Sequence, residues 1–174
     1  MMCRYFIIAM IALLSGTALI AQPPSSKEAI EKEYQRRIRQ EVLDGVYIPK
    51  DLTDAFIQLN KRIDEESKMA FKSVPEDTAA YKLFFSLGRW MTLNWGFYGG
   101  SRLSHYLRDL GVTYPEDMAR FIIITYHRNL NRKPLNVKEL VDEFAEKRRQ
   151  EHLEKAEKGT VIREETRKVK NGGG

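Results

Sequence analysis

Apolar positions recur along the chain at helical spacing, and they predict a succession of helices. Ile30, Tyr34, Ile38 and Val42 step by four through an otherwise charged segment that runs to about Asp44. Such a stripe is wide enough to lie along a partner but too narrow for deep burial. Ser25-Ser26-Lys27-Glu28 offers a capping box at its start, and Gly45 offers a C-cap at its end. Val46-Tyr47-Ile48-Pro49 is extended, because proline drives the preceding residue out of the helical region. Pro49-Lys50-Asp51 then opens a helix with Leu52, Ala55, Phe56, Leu59 and Ile63 on one face and Asp64-Glu65-Glu66 in water. Lys68 to Val74 reads as a short helix or as a loop with Met69 and Phe71 turned inward.

Pro75-Glu76-Asp77 restarts a helix, with acids in the first turn where the helix dipole favours them. It directs Leu83, Phe84, Leu87, Met91 and Trp95 inward. Gly88 inside it costs about 1 kcal/mol relative to alanine, which close contact with another helix would offset. Asn94 and Gly96 end it, and after Gly99-Gly100 the hydroxyl of Ser101 is placed to cap a short helix that buries Leu103, Tyr106, Leu107 and Leu110. Both tryptophans lie in the stretch from Leu87 to Leu103, which reads as helix, glycine corner, helix. Tyr114-Pro115-Glu116-Asp117 starts the next helix. Met118, Phe121, Ile122, Ile123, Ile124 and Tyr126 leave it with almost no polar side, so it is expected at the centre. Asn131 to Pro134 breaks it, and Asn136 to Glu139 starts another that carries Leu140, Val141 and Phe144. Beyond Ala145 the apolar face gives way to Glu, Lys and Arg, whose i,i+4 pairs support a solvated helix but no core.

The expected architecture is therefore all-α. A compact multi-helix domain spans 46–133, between an N-terminal charged helix over 22–45 and a C-terminal charged helix or tail over 134–170. Residues 171–174 are expected to be disordered.

Composition alters this picture mainly at the N-terminus. Met1 to Arg4 forms a short positive segment, Tyr5 to Ile20 is nearly all apolar or small, and Ala21-Gln22-Pro23-Pro24 turns abruptly polar. That is the pattern of a signal peptide spanning 1–21 and cleaved after Ala21, which predicts a periplasmic or secreted protein. The alternative is an uncleaved anchor, since the run approaches the length of a membrane span. Membrane attachment is expected only through that segment. The sole cysteine, Cys3, precedes the apolar run, so the mature chain is expected to carry neither disulfide nor thiolate metal site. The formal charge of +5 is spread among interleaved acids and bases, with no basic stripe of the kind that marks a nucleic-acid binder.

Four motifs follow in order: Ile48-Pro49-Lys50-Asp51-Leu52, Asn94-Trp95-Gly96-Phe97-Tyr98-Gly99-Gly100-Ser101-Arg102-Leu103, Pro115-Glu116-Asp117-Met118, and Tyr126-His127-Arg128-Asn129-Leu130-Asn131. Together they resemble a small bacterial domain family of unknown function, over about residues 47–133. The resemblance implies a compact helical domain and no assigned activity, cofactor or partner.

Candidate chemistry gathers at the corner. Ser101 and His105 lie one helical turn apart, as a nucleophile and its base would. No acid is evident to orient the imidazole, no nucleophile elbow is present, and an N-cap role explains Ser101 without catalysis. His105, His127, Glu116 and Asp117 match no metal-ligand spacing, so no metal or cofactor is expected. Asn94, Trp95, Phe97, Tyr98, Arg102, His105 and His127 are the candidate binding residues. Trp, Tyr and Arg are enriched at hot spots, and the polar members could converge beside them. The favoured reading is a non-catalytic protein-binding module. The alternatives are a small hydrolase or ligand-binding protein using Arg102, His105 and His127, and an immunity-type inhibitor.

Overall fold

A computed structural model describes residues 26–170, with side chains through Lys158. The expectations for a leader over 1–21 and a frayed end at 171–174 lie outside the described residues. The order is α1 (Lys27–Arg37), β1 (Val42–Leu43), β2 (Val46–Tyr47), α2 (Leu52–Arg62), α3 (Glu65–Ser73), α4 (Glu76–Leu83), a π-helical turn (Phe84–Gly88), α5 (Arg89–Asn94), α6 (Arg102–Asp109), α7 (Pro115–Leu130) and α8 (Val137–Lys170). Among the described residues the fold is all-α apart from one two-stranded antiparallel hairpin. No helix among the described residues is long and apolar enough to cross a membrane.

Helix α7 is the centre, as its apolar run requires. Met118, Ala119, Phe121, Ile122, Ile123 and Tyr126 are fully buried. The Tyr126 ring packs against Phe56 of α2 and stacks on Phe71 of α3 with centroids 5.9 Å apart. Its hydroxyl donates to Asn60 Oδ1 at 2.8 Å, and burial pushes its pKa up to about 12. Helix α4 and the π turn lie along the same helix. Gly88 is buried there, and a Cβ at its position would sit 3.2 Å from Phe84 Cδ2 and 3.4 Å from Ile123 Cδ1. The close approach expected from an interior glycine is thus made to α7.

Three local readings are corrected. The charged helix does not reach Asp44: α1 stops at Arg37, and Asp44 (φ 51°) with Gly45 (φ 78°) forms the turn of the hairpin. Asp-Gly is a preferred pair where both turn residues need positive φ, so Gly45 is a hairpin residue and not a helix cap. The N-cap of α1 is Ser26, whose hydroxyl accepts from the Ala29 N–H. Lys68 to Val74 belongs largely to α3, capped by Asp64; Phe71 is buried but Met69 points to solvent.

The C-terminal helix is continuous from Val137 to Lys170. Its first turns pack through Leu140 and Phe144, the latter against Phe121. Past Ala145, where no apolar face remains, a polar clasp takes over. Arg148 grips Asp117 of α7 with two parallel bonds, Nε to Oδ2 at 2.6 Å and Nη2 to Oδ1 at 2.9 Å. The same guanidinium lies 4.3 Å over the Tyr114 ring, and the Tyr114 hydroxyl meets His152 Nε2 at 3.2 Å.

Gly88→Val is expected to lower stability by about 1–3 kcal/mol, because the added branches press on Phe84 and Ile123. The urea midpoint measures it; an unchanged midpoint would mean that the π turn and α7 approach less closely than described.

Candidate functional site

The corner from Asn94 to Arg102 is built by backbone constraint. Helix α5 ends as Gly96 turns left-handed (φ 65°), and Gly100 (φ 85°) redirects the chain into α6. Ser101 then caps α6: its Oγ accepts from the Ser104 N–H, and Ser104 Oγ accepts from the Ser101 N–H. Both serines are buried.

The structure distributes the candidate residues unevenly. Trp95 and Phe97 are core residues, 1% and 0% exposed, so they present no contact surface. Asn94 is half-buried and donates to the Trp90 carbonyl, closing its own helix end. Tyr98 alone of the corner rings is exposed, at 64%, with its hydroxyl donating to Glu116 Oε1 at 2.7 Å. That bond raises the phenol pKa and holds the Glu116 carboxyl below its ordinary range. Nor is the corner open: α1 sits on it. Arg37 Nε donates to the Gly100 carbonyl at 3.0 Å, and the Tyr34 ring lies where a Cβ on Gly100 would be, 2.4 Å from that position.

The polar candidates do not converge. Arg102 Nε donates to the Ile48 carbonyl at 2.7 Å and Nη1 to Glu41 at 3.1 Å, tying α6 to the hairpin. Its Nη2 is buried without a hydrogen-bond partner among the described residues. His105 Nδ1 meets the Tyr34 hydroxyl at 3.3 Å, and Nε2 stands 3.6 Å from Asp109. Asp109 is thus the acid that the sequence reading missed, one turn beyond His105. The pair still lacks a nucleophile, because Ser101 Oγ is committed to its cap.

His127 is buried at the end of α7, with Nε2 3.1 Å from the Val74 carbonyl and Phe71 edge-on to its ring. A carbonyl there accepts from an N–H, which places a hydrogen on Nε2. Nδ1 is buried without a hydrogen bond, 3.9 Å from Glu76. Arg128 holds Glu76 in a fork, Nε to Oε2 at 3.0 Å and Nη2 to Oε1 at 2.7 Å, and Nη1 reaches the Leu135 carbonyl. The histidine and arginine at this helix end therefore serve the α4 and α8 junctions. No group of three or more metal-ligating side chains occurs among the described residues.

Two features that single-residue reasoning passed over stand out. One is a row of exposed apolar side chains, Tyr81, Phe85 and Leu93, on α4, the π turn and α5. The other is a groove of about 410 Å³ between the hairpin, α2 and α5, lined by Tyr47, Trp90 and Trp95 with Lys61 and Arg62. The first needed the π turn, which no periodicity shows. The second needed the distant hairpin brought beside α2.

Residues 48–130 match the model of a family described as a domain of unknown function (DUF6794). The resemblance read from the four motifs is therefore shown over that stretch, and α1 and α8 lie outside it. No curated protein and no solved structure matches the chain.

The Arg128 fork holds the Glu76 carboxyl below its ordinary range, although burial works against it. A carboxyl lowered on folding stabilises the fold above the unfolded value, near pH 4.5, and loses that contribution as pH falls through the folded value. Glu76→Gln is expected to cost about 1–3 kcal/mol near neutral pH. The gap to wild type should narrow as pH falls below the unfolded value near 4.5 and close once pH has passed the lowered folded value. Urea midpoints across pH measure this; a gap independent of pH would remove the ion pair from the account.

Proposed function

We propose that this chain is an exported, non-catalytic protein-binding module whose contact face is the outer side of α4, the π turn and α5. The observation that carries this reading is the exposure of Tyr81 (72%), Phe85 (68%) and Leu93 (62%) along that helical run, with the exposed Arg89 on the turn between the last two. A regular α-helix would rotate residues twelve apart away from one another. The wide turn over Phe84–Gly88 slows that rotation and keeps the row on the solvent side. Its opposite sides are spoken for: Gly88 and Thr92 are buried toward the core, and the Phe84 ring lies under the Arg120 guanidinium at 4.2 Å.

The row also has order. The Tyr81 and Phe85 rings meet edge to face at 6.0 Å, and Phe85 meets Phe84 likewise at 5.4 Å. Such pairing limits the side-chain freedom that binding would otherwise have to quench. Exposed apolar groups gathered on one face mark interaction sites more often than scattered ones do. Catalysis finds less support, because Ser101, His105 and His127 are each engaged in bonds that hold the fold. Export rests on the leader pattern of residues 1–21, and the protein is placed in the periplasm or outside the cell on that basis.

Phe85→Asp and Tyr81→Ala are expected to leave the circular dichroism spectrum unchanged, since both side chains are mostly exposed. Each should reduce capture of a partner from the native envelope fraction by at least about tenfold. Capture of the same protein equally by wild type and both folded variants would overturn the proposed face.

A further inference from the structure

The groove beside Trp90 has a chemistry of its own, separate from the apolar row. Its floor and walls are aromatic. Trp95 is buried beneath it, Trp90 meets Trp95 edge to face at 5.5 Å, and Tyr47 closes the hairpin side. Its rim is cationic. The Arg62 guanidinium lies 3.9 Å over the Trp90 ring, and Lys61 stands next to it in the chain. Neither cation ion-pairs with a carboxylate among the described residues.

The remaining wall is fixed by one buried acid. Asp54 accepts from the Tyr47 hydroxyl at 2.8 Å, from the Lys50 N–H at 3.1 Å and from Gln58 Nε2 at 3.2 Å. Burial alone would raise its pKa, but these bonds hold it below the ordinary carboxylate range, with the charge of Arg102 assisting. Two consequences follow. The Asp54 carboxylate is held by its own donors and makes no ion pair with either rim cation among the described residues. The Gln58 amide is also oriented: a carboxylate demands the N–H₂ end, which leaves Oε1 as its unused acceptor.

Two cations without carboxylate partners, one oriented acceptor and an aromatic floor define a ligand. We propose that this groove binds a carboxylate carried on an apolar body with an adjacent N–H donor. The carboxylate meets Lys61 and the Arg62 guanidinium where it lies over Trp90, the N–H meets Gln58 Oε1, and the apolar body lies against Val46 and Tyr47. That is the chemistry of a polypeptide's free C-terminal end, and equally of a small N-acyl amino acid. The volume lies within the range usual for small-molecule sites.

Both tryptophans of the chain line the groove, so its occupancy is read directly by intrinsic fluorescence of the full chain. The probes are N-acetyl-leucine, a short peptide ending in leucine with a free carboxylate, and the C-terminal amide of each. Saturable change in tryptophan emission is expected with the free acids, and at least about tenfold weaker binding with the amides. Tighter binding of the peptide than of N-acetyl-leucine identifies a chain end as the ligand; equal binding identifies the small acid. Lys61→Gln and Arg62→Gln should each weaken binding by about tenfold, and Arg62→Lys by less. Gln58→Glu, which places a second carboxylate at the acceptor position, should weaken it further. No saturable change with either free acid up to about 1 mM would overturn the proposal, as would equal binding of acids and amides.

Discussion

The Tyr34 ring lies on Gly100, and nothing larger than glycine fits beneath it. The same glycine has φ 85°, which an L side chain adopts only under strain. One residue thus turns the chain from α5 into α6 and makes the seat for α1. Arg37 fastens that seat by bonding the Gly100 carbonyl, and Ser101 next to it caps α6. Arg102 completes the joint by bonding Ile48 and Glu41, which fixes the hairpin and the entry to α2. Of the elements that meet there, α1 contributes no buried residue at all. The joint is held by geometry and hydrogen bonds, while the apolar core collects around α7.

This division explains where function can reside. The corner is dense in residue types that mark binding sites, yet its rings are core and its polar groups are occupied. Trp95 and Phe97 fill the space that the tight turn creates, and His127 serves a helix junction at the end of α7. The groups left available lie one layer out. The π turn carries an aromatic row to the solvent side, and the hairpin, held by Arg102, closes one wall of the Trp90 groove. Structure spent at the corner positions surfaces beside it.

The helices were largely legible because their signals are local. Asp51 capping α2, Ser101 capping α6, the acids opening α4 and the apolar run of α7 all act within a few residues of themselves. The close packing at Gly88 was legible too, since an interior glycine needs a reason. What escaped was non-local or subtle. The stripe of Ile30, Tyr34, Ile38 and Val42 keeps helical spacing beyond Arg37, where the helix ends, but the turn chemistry of Asp44-Gly45 outweighs that spacing. The π turn leaves no mark on periodicity. Burial of Trp95 and Phe97 depends on neighbours far along the chain. So does the docking of α8 beyond Ala145, where the clasp between Arg148 and Asp117 joins residues 31 apart.

The joint is tested most directly by amide hydrogen exchange on the full chain, comparing wild type with Gly100→Ala. An added methyl at that position meets the Tyr34 ring and strains the backbone. Exchange is expected to quicken together in residues 31–37 and 96–100, while α7 keeps its protection. Unchanged protection of residues 31–37 in the variant would contradict the account, for it would mean that α1 is held by something other than its seat on the glycine corner.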